Sequence, residues 1–462
     1  MKFLLIIYNN DSYISFFPQG MAYLAGALLE NKNEVEIFDM AANNYTLLDL
    51  QKHIEKHNYN YVCLGFCGGY YQYDIAIKLS NHINLCNNRK TFKYILGGHG
   101  PSPEPKYFLE LLKANIVVIG EGEETIKEIA NGKPLNYIDG ICYKDNWTEE
   151  IAINKERKVI KDVDKISFPA YHLFDINYYK LYRKPKINNK EYSMPILSAR
   201  GCLYKCTFCY RLMDGYRTRS TENIIKEIKY LKNEYNITYI VFSDELFMGI
   251  KSRTEEICKA IIQENLNIKF SCDGRLNIAA KYYDLLQLMK KAGCQFINYG
   301  IESLNNKVLK SYKKGLTKDI IIKGVENTLN VGISPGLNII WGNEFDTKEN
   351  LFESVNFLLK YDDQAQLRTI RPVTPYPGSP LYHEALNKGL LENIKDFYNK
   401  HNNSDLLTVN FTKLSDEEFY KNICIANKIL IANYYKIIKS KHFITMDKLY
   451  SKEDINFRGF RQ

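Results

Sequence analysis

No apolar run in this 462-residue chain approaches the ~20 residues that a membrane helix requires. The N-terminal Lys2-Phe3-Leu4-Leu5-Ile6-Ile7-Tyr8 is apolar but short, and Asn9-Asn10-Asp11 follows it without a small-residue cleavage site. It reads as a buried first strand rather than a signal peptide. A concentrated basic stripe is also missing. The net charge of +9 is scattered over many lysines, which suits a solvated surface and argues against a nucleic-acid partner. Nor is there a paired-cysteine framework, since the count of 11 is odd. Cys63, Cys67, Cys86, Cys142, Cys258, Cys272, Cys294 and Cys424 are dispersed, several of them inside apolar runs. They have the look of reduced core thiols in a cytoplasmic protein, and none has the spacing of a second cluster. Apolar residues are present at an ordinary 45%, which excludes wholesale disorder, and the length allows two or three domains.

The remaining three cysteines are concentrated. Ser198-Ala199-Arg200-Gly201-Cys202-Leu203-Tyr204-Lys205-Cys206-Thr207-Phe208-Cys209 carries them as CxxxCxxC, directly after a short apolar run at Met194–Leu197. A tetrahedral zinc site would want a fourth ligand nearby. Three thiolates on one tight loop suit a cubane iron–sulfur cluster with three irons held by protein and the fourth left open, because clusters are otherwise held by four cysteines. A zinc loop completed by a distant His or Cys is the alternative.

Before this loop, short apolar runs alternate with amphipathic ones. Strands are predicted at Lys2–Tyr8, Glu34–Phe38, Tyr61–Phe66, Lys93–Leu96 and Asn115–Ile119, with helices at Met21–Glu30, Leu47–His57, Tyr73–Leu85, Lys106–Lys113 and Glu124–Ala130. Such alternation predicts a parallel sheet covered on both faces, with ligands outside the carboxyl ends of its strands. The glycines fall there: Gly65-Phe66-Cys67-Gly68-Gly69, Gly97-Gly98-His99-Gly100-Pro101 and Gly120-Glu121-Gly122-Glu123. Glycine lets backbone approach a flat or bulky ligand closely.

Residues 146–192 show no sustained periodicity and read as a linker. After the cysteine loop the alternation resumes. Strands are predicted at Ile237–Phe242, Ile268–Ser271, Gln295–Tyr299, Gly336–Trp341 and Leu367–Arg371, and helices at Thr221–Tyr235, Thr254–Glu264, Tyr282–Ala292, Lys318–Val331 and Lys348–Tyr361. With Met194–Leu197 these make about six strand–helix units, a partial barrel whose site lies at the strand ends. Those ends carry Ser243-Asp244-Glu245, Asp273-Gly274-Arg275 and Gly300-Ile301-Glu302-Ser303, the mixture of carboxylates, hydroxyls and guanidinium that a zwitterionic, ribose-bearing cofactor needs. Further on, Glu384–Leu390 and Asp416–Leu430 read as helices, the second opened by Ser415 with Glu418 three positions on. The tail is basic and polar.

The cysteine loop and its flanks resemble the radical S-adenosylmethionine (SAM) superfamily, which binds SAM through the open iron of a 4Fe-4S cluster. Arg200-Gly201-Cys202, Phe208 beside the third cysteine, Tyr216-Arg217-Thr218-Arg219-Ser220, Glu302-Ser303 and Thr374-Pro375-Tyr376-Pro377-Gly378-Ser379-Pro380-Leu381-Tyr382 match its pattern. Phe17-Pro18-Gln19-Gly20-Met21-Ala22-Tyr23-Leu24-Ala25 and the last two glycine loops resemble the cobalamin-binding domain that precedes many such enzymes, and Ser167-Phe168-Pro169-Ala170 their connector.

The resemblance implies an α/β protein: a Rossmann-like cobalamin-binding domain at 1–145, a linker at 146–192, a partial (β/α)6 TIM-type radical SAM barrel at 193–390 and a helical region at 391–462. It implies Cys202, Cys206 and Cys209 as cluster ligands. Phe208, Ser243, Asp244, Glu245, Arg275, Glu302 and Ser303 are then the SAM contacts. Gln19, Gly20, Gly65, Phe66, Cys67, Gly68, Gly69, Gly97, Gly98, His99, Gly120, Glu121, Gly122 and Glu123 are the cobalamin contacts.

Two departures stand out. Asp39-Met40-Ala41-Ala42-Asn43-Asn44 has no histidine where other cobalamin proteins supply a lower axial ligand in Asp-x-His-x-x-Gly, and Trp341-Gly342-Asn343-Glu344 replaces a common Gly-x-Pro. The chemistry implied is reductive cleavage of SAM to a 5′-deoxyadenosyl radical that attacks an unactivated carbon. C-methylation through methylcobalamin is the expected outcome, with ring formation or rearrangement, or methylthiolation, as alternatives. The implied partners are a small-molecule or peptide substrate and a one-electron donor such as flavodoxin or ferredoxin.

Overall fold

The computed structural model describes residues 1–10, 16–145, 149–182, 185–188, 190–451 and 457. Parts of the expected linker (146–148, 183–184 and 189) and of the tail (452–456 and 458–462) lie outside the described residues. Five parallel strands form the core of the first sheet: β1 (Lys2–Ile7), β2 (Glu34–Asp39), β3 (Tyr61–Gly65), β4 (Lys93–Gly97) and β5 (Ile116–Val118). Their order is β2-β1-β3-β4-β5, so the winding reverses between β1 and β3, and a crevice opens beyond the strand ends there. The central strands are apolar on both faces because helices cover both. Leu4 and Ile6 join one core cluster, while Phe3 and Leu5 join the other.

The sheet is wider than the sequence pattern predicts. β6 (Ile141–Lys144) and β7 (Ile151–Ile153) extend it antiparallel beyond β5. β7 comes from the stretch expected to be linker, and at three residues it is too short to show alternation. The rest of that stretch is folded as well. Tyr171, Phe174 and Tyr179 enclose Phe17 with ring centroids 5.3, 5.2 and 5.5 Å away. Ala170 N donates to Ala22 O at 2.9 Å, and Gly26 permits this close strap, since a Cβ there would lie 2.3 Å from Phe168 O.

The second sheet is wholly parallel. β8 (Ser193–Ile196) is followed by a two-stranded ribbon of β9 (Ala199–Gly201) and β10 (Tyr216–Thr218), then by β11 (Tyr239–Phe242), β12 (Lys269–Gly274), β13 (Cys294–Glu302), β14 (Ser334–Trp341) and β15 (Arg371–Pro372). The order β15-β14-β13-β12-β11-β8 is the expected half-open barrel. The last strand is two residues long instead of the predicted Leu367–Arg371, and Leu367 is exposed.

A 36-residue helix, Asp416–Ser451, covers the open edge. Its start is the predicted reciprocal cap, with Ser415 N donating to Glu418 Oε2 at 3.0 Å and Glu418 N to Ser415 Oγ at 3.2 Å. Asn427 both donates to Ile370 O and accepts from Ile370 N, at 3.0 and 2.8 Å, and so satisfies backbone that an edge strand leaves open. Phe419 stacks on Trp341 at 4.3 Å. Among the described residues no helix is long and apolar enough to cross a membrane.

Candidate functional site

The cysteine loop hangs from the β9–β10 ribbon, in which Gly201 has φ +79° and a Cβ would meet Gly215 O at 2.2 Å. Its far side is pinned by Thr207, whose N–H donates to Tyr312 O at 3.1 Å and whose carbonyl accepts from Leu381 N at 2.8 Å. Cys202, Cys206 and Cys209 are all free thiols, with Cys209 exposed. Desolvation, then the charges of Glu245, Cys206 and Cys202, push the Cys209 thiol up to about 11. Desolvation likewise raises Cys202. Thiols that repel one another's ionisation in this way are the ones a metal centre would deprotonate on binding. Among the described residues, no three His, Cys, Asp or Glu side chains converge tightly enough to grip a single ion.

Arg275 sits against this loop. It is 7% exposed, lies over the Tyr204 ring at 3.5 Å, and donates from Nη1 to Cys206 Sγ at 3.6 Å. Its Nη2 holds Lys314 O, and its Nε has no partner. Beside its expected role as a clamp for the SAM carboxylate, the guanidinium is placed to compensate negative charge on Cys206.

Glu302 ends β13 at a register shift with φ +68°, a left-handed conformation that costs a glutamate about 1 kcal/mol or more. Lys314, a residue that sequence reasoning missed because a lysine pair before a glycine looks like an ordinary helix end, pairs with it at 2.7 Å. Both are buried. Phe208 packs edge-on to Tyr312 at 5.1 Å, with Lys314 Nζ 5.6 Å from its ring centre. Ser303 Oγ accepts from Asn305 N at 3.1 Å.

Asp244, expected among the SAM contacts, is placed against the strand that leads into the cysteine loop. It is fully buried, and its carboxylate takes Ser198 N at 2.5 Å, Ala199 N at 3.1 Å and the Ser198 hydroxyl. Arg253, another residue not singled out from sequence, holds the same turn from the other side through Ser198 O and Oγ, both at 2.6 Å. This pair fixes the strand that enters the cysteine loop. Adjacent Glu245 stays exposed at its rim. Ser243 turns to the other domain and donates to Gln19 Oε1 at 2.7 Å. Where a Gly-x-Pro was noted as absent, Asp346 closes the loop by accepting from Gly342 N and Asn343 N, each at 2.9 Å.

On the first sheet, the loops after β3 and β4 lie against one another. Gly100 N donates to Phe66 O at 3.0 Å, and Gly98, at φ +100°, leaves only 2.6 Å between a would-be Cβ and Phe66 O. Among the described residues nothing lies within 4 Å of a Cβ at Gly20 or Gly120, and the buried Gln19 Nε2 has no partner. A glycine-edged crevice with an orphaned amide fits a large flat ligand rich in amide side chains, as cobalamin is. The loop after β2 is closed instead, because Asp39 caps Ala41 and Ala42 and accepts from Tyr179 at 2.7 Å.

Glu121 and Glu123, expected among the cobalamin contacts, are engaged within the protein. Their side chains are 4% and 8% exposed, and both are engaged by arginines of the ribbon. Arg200 reaches Glu121 at 2.9 Å and Glu123 at 2.5 Å, and Arg217 reaches Glu121 at 2.9 Å. Burial alone would raise the Glu121 carboxyl, but hydrogen bonds from Arg217, the Ile160 amide and Arg200 hold it below the usual range. Both carboxylates are thus occupied by ribbon arginines. The two ligand edges meet elsewhere: His99, after β4, and Tyr210, next to Cys209, have ring centroids 6.2 Å apart.

Comparison with known proteins agrees with this arrangement. Residues 196–358 match the radical SAM superfamily and residues 7–130 the B12 binding domain. An uncharacterised methyltransferase of Pyrococcus horikoshii is 30% identical over 408 residues, covering 85% of this chain and 84% of that one. The anaerobic magnesium-protoporphyrin IX monomethyl ester cyclase of Rubrivivax gelatinosus is 24% identical, over 80% of this chain and 66% of its own.

Two solved structures share the fold. The cobalamin-dependent SAM radical enzyme OxsB, with aqua-cobalamin and SAM bound, has a TM-score of 0.67 at 22% identity, over 87% of this chain and 56% of that one. The radical SAM methyltransferase TsrM of Kitasatospora setae has a TM-score of 0.65 at 16% identity, over 84% and 76%. Two family matches laid end to end, and a relative at 30% identity spanning most of both chains, lead to one conclusion: the chain belongs to the cobalamin-binding radical SAM enzymes, and its cofactors are a 4Fe-4S cluster, SAM and cobalamin.

Proposed function

We propose that this enzyme methylates an unactivated carbon of a small-molecule or peptide substrate held between its two ligand edges. The observation that carries this is the 6.2 Å approach of His99 to Tyr210, which brings the glycine-edged crevice and the cysteine loop to a common point. When bound, the cofactors supply a 5′-deoxyadenosyl radical and a transferable methyl group. The chain's share is geometry and exclusion of water.

In this reading Cys202, Cys206 and Cys209 hold the cluster, with Arg275 neutralising the thiolate of Cys206. Phe208, Ser243, Glu245, Arg275, Glu302 and Ser303 surround SAM. Gln19, Gly20, Gly65, Phe66, Cys67, Gly68, Gly69, Gly97, Gly98, His99, Gly120 and Gly122 line the cobalamin crevice. A flavodoxin- or ferredoxin-type protein supplies the electron. The methyltransferase name of the relative from Pyrococcus horikoshii supports methyl transfer.

Ring formation without methyl transfer is the second reading, favoured by the similarity to a cyclase. Methylthiolation fits poorly, because Cys63, Cys86 and Cys142 are buried in the first domain and only Cys67 there is exposed. The test is anaerobic reconstitution, a visible spectrum with added cobalamin, and mass spectrometry of the products formed from methyl-deuterated SAM with dithionite. Transfer of the labelled methyl supports the proposal. Deoxyadenosine formed without any cobalamin uptake overturns the methyltransferase reading and leaves the radical chemistry standing.

A further inference from the structure

The β9–β10 ribbon places Arg200 directly opposite Arg217 in the register. Like charges at facing positions of an antiparallel pair repel, so such a pair needs a counter-ion. Here that counter-ion belongs to the other domain. Glu121, in the loop after β5, accepts from Arg200 Nη1 at 2.9 Å and from Arg217 Nη1 at 2.9 Å through both of its oxygens. It also accepts from Ile160 N at 2.9 Å, and Arg217 donates in turn to Ile160 O at 2.6 Å. Glu123 takes the second arm of Arg200, whose guanidinium lies 5.2 Å from the Tyr23 ring centre on the first domain's first helix. One buried carboxylate thus gathers both strands of the ribbon and a residue of the connecting segment. The ribbon is the frame of the cysteine loop, since Gly201 is followed at once by Cys202.

We propose that Glu121, assisted by Glu123 and acting through Arg200 and Arg217, is a latch that sets the distance and orientation between the cobalamin crevice and the cluster loop. It is a positioning residue and touches neither cofactor. Arg200 holds Glu121 and Glu123 with separate nitrogens of its planar fork and so resists rotation as well as separation, while Arg217 Nη1 spans both oxygens of Glu121. A buried, fully engaged pair of this kind is strongly destabilised by loss of one partner. The proposal rests on the family's pair of cofactors but not on whether methyl is transferred.

The experiment uses the full chain, reconstituted with cluster and cobalamin, as wild type, Glu121→Gln, Glu123→Gln and Arg217→Lys. Iron, sulfide and cobalamin are counted in each sample. The paramagnetic coupling between reduced cluster and cob(II)alamin is then recorded, with amide hydrogen exchange of residues 116–123, 199–201 and 216–218 measured in parallel on the cofactor-free chain.

We expect Glu121→Gln to keep both cofactors while the inter-cofactor distance distribution at least doubles in width, and these amides to exchange at least tenfold faster. Glu123→Gln, which loses one arm only, should shift both readings the same way by less. Arg217→Lys, which keeps the charge but gives up the planar guanidinium, should shift both readings the same way by less than Glu121→Gln. Unchanged coupling and exchange within twofold in Glu121→Gln would overturn the latch. If that variant does not accumulate, the same two readings on Glu123→Gln decide, and no change there overturns it as well. Failure of the wild type to take up cobalamin would strike the proposed function, whereas the exchange readings test the latch regardless.

Discussion

The two parallel sheets of this enzyme turn their carboxyl edges toward the same place but build them from different materials. The β1–β5 edge is made of backbone, with three glycine loops and no described neighbour within 4 Å of a Cβ at Gly20 or Gly120. The β8–β15 edge is made of charged side chains and thiols, with Arg275, Glu302, Lys314 and the three clustered cysteines. The contrast follows ligand size. A corrin is broad and is gripped by close approach of main chain, whereas SAM is small and zwitterionic and is gripped by complementary charge. It also shows that a carboxylate at a strand end can serve either ligand or scaffold, since Asp244 and Glu121 are sealed into loop-holding networks while Glu245 is left at the rim.

The largest test of this contrast is to remove the thiols. Replacing Cys202, Cys206 or Cys209 by Ala should abolish iron incorporation and SAM cleavage while leaving cobalamin uptake intact, as read by iron assay and deoxyadenosine yield. Cys258→Ala is the control. That thiol is buried away from the loop, and its loss should cost about 1 kcal/mol of stability and hardly change turnover. Retained SAM cleavage in any of the three loop variants would dissolve the division between the edges.

The complementary test strikes the glycine edge. Gly98→Val adds a β-branched side chain at φ +100° and 2.6 Å from Phe66 O. It should eliminate cobalamin binding, by at least about a hundredfold in affinity if the loop distorts by the few kcal/mol such strain implies, and leave the cluster's spectrum unchanged. Gly20→Ala separates ligand from fold. Its Cβ meets nothing among the described residues, and Ala in a helical first turn tends to stabilise. The apo melting temperature should therefore hold or rise while cobalamin binds about tenfold more weakly. Unchanged affinity would mean the corrin does not reach the loop that opens this helix.

The division of labour between the edges was largely legible from residue order. Most strands of both sheets fall within a few residues of their predicted limits, because each is a short apolar run that must be buried on both faces. The helix Thr221–Tyr235 begins and ends where its Ser220 cap and Asn236 terminator put it. What could not be read is which way individual polar side chains turn. Asp244, Glu121 and Glu123 share the strand-end position of the other expected contacts. Only the three-dimensional placement of Ser198, Arg200 and Arg217, up to 96 positions away in sequence, reveals that protein already occupies them. β7 and β15 were missed or displaced for a simpler reason, since two or three residues carry no period.

A smaller effect is expected at Arg275, where the charged edge touches the cluster loop. The guanidinium beside Cys206 stabilises negative charge there, so Arg275→Met should make the cluster harder to reduce. At an effective dielectric near 20 and a separation of about 6 Å, one charge contributes about 3 kcal/mol, on the order of 100 mV for one electron. Redox titration followed by electron paramagnetic resonance reads this directly. An unchanged midpoint would place Arg275 on SAM alone.

The smallest effect concerns acid stability, and here two buried groups should pull in opposite directions. His401, 1% exposed, stacks on Phe397 at 5.1 Å and is paired only through Nδ1 to Thr408. Neighbouring Tyr398 stacks on Tyr73 of the first domain at 3.9 Å. Burial lowers the histidine's pKa from 6.5 to about 4. The unfolded chain thus binds the proton more readily, and this residue's contribution is present above pH 6.5 and lost as the pH falls toward 4.

Asp346, at the β14 exit of the barrel, is raised by burial from 3.8 to about 6 against the pull of the Gly342 and Asn343 amides. The folded chain binds that proton more readily, so stability declines as the pH rises from 3.8 through 6. Each is worth about 3 kcal/mol across its window, so in the wild type the two slopes nearly cancel between pH 4 and 6. Urea unfolding should then show His401→Phe losing stability as pH rises through that interval and Asp346→Asn gaining it. Parallel slopes in the two variants would mean that neither group keeps its burial in solution.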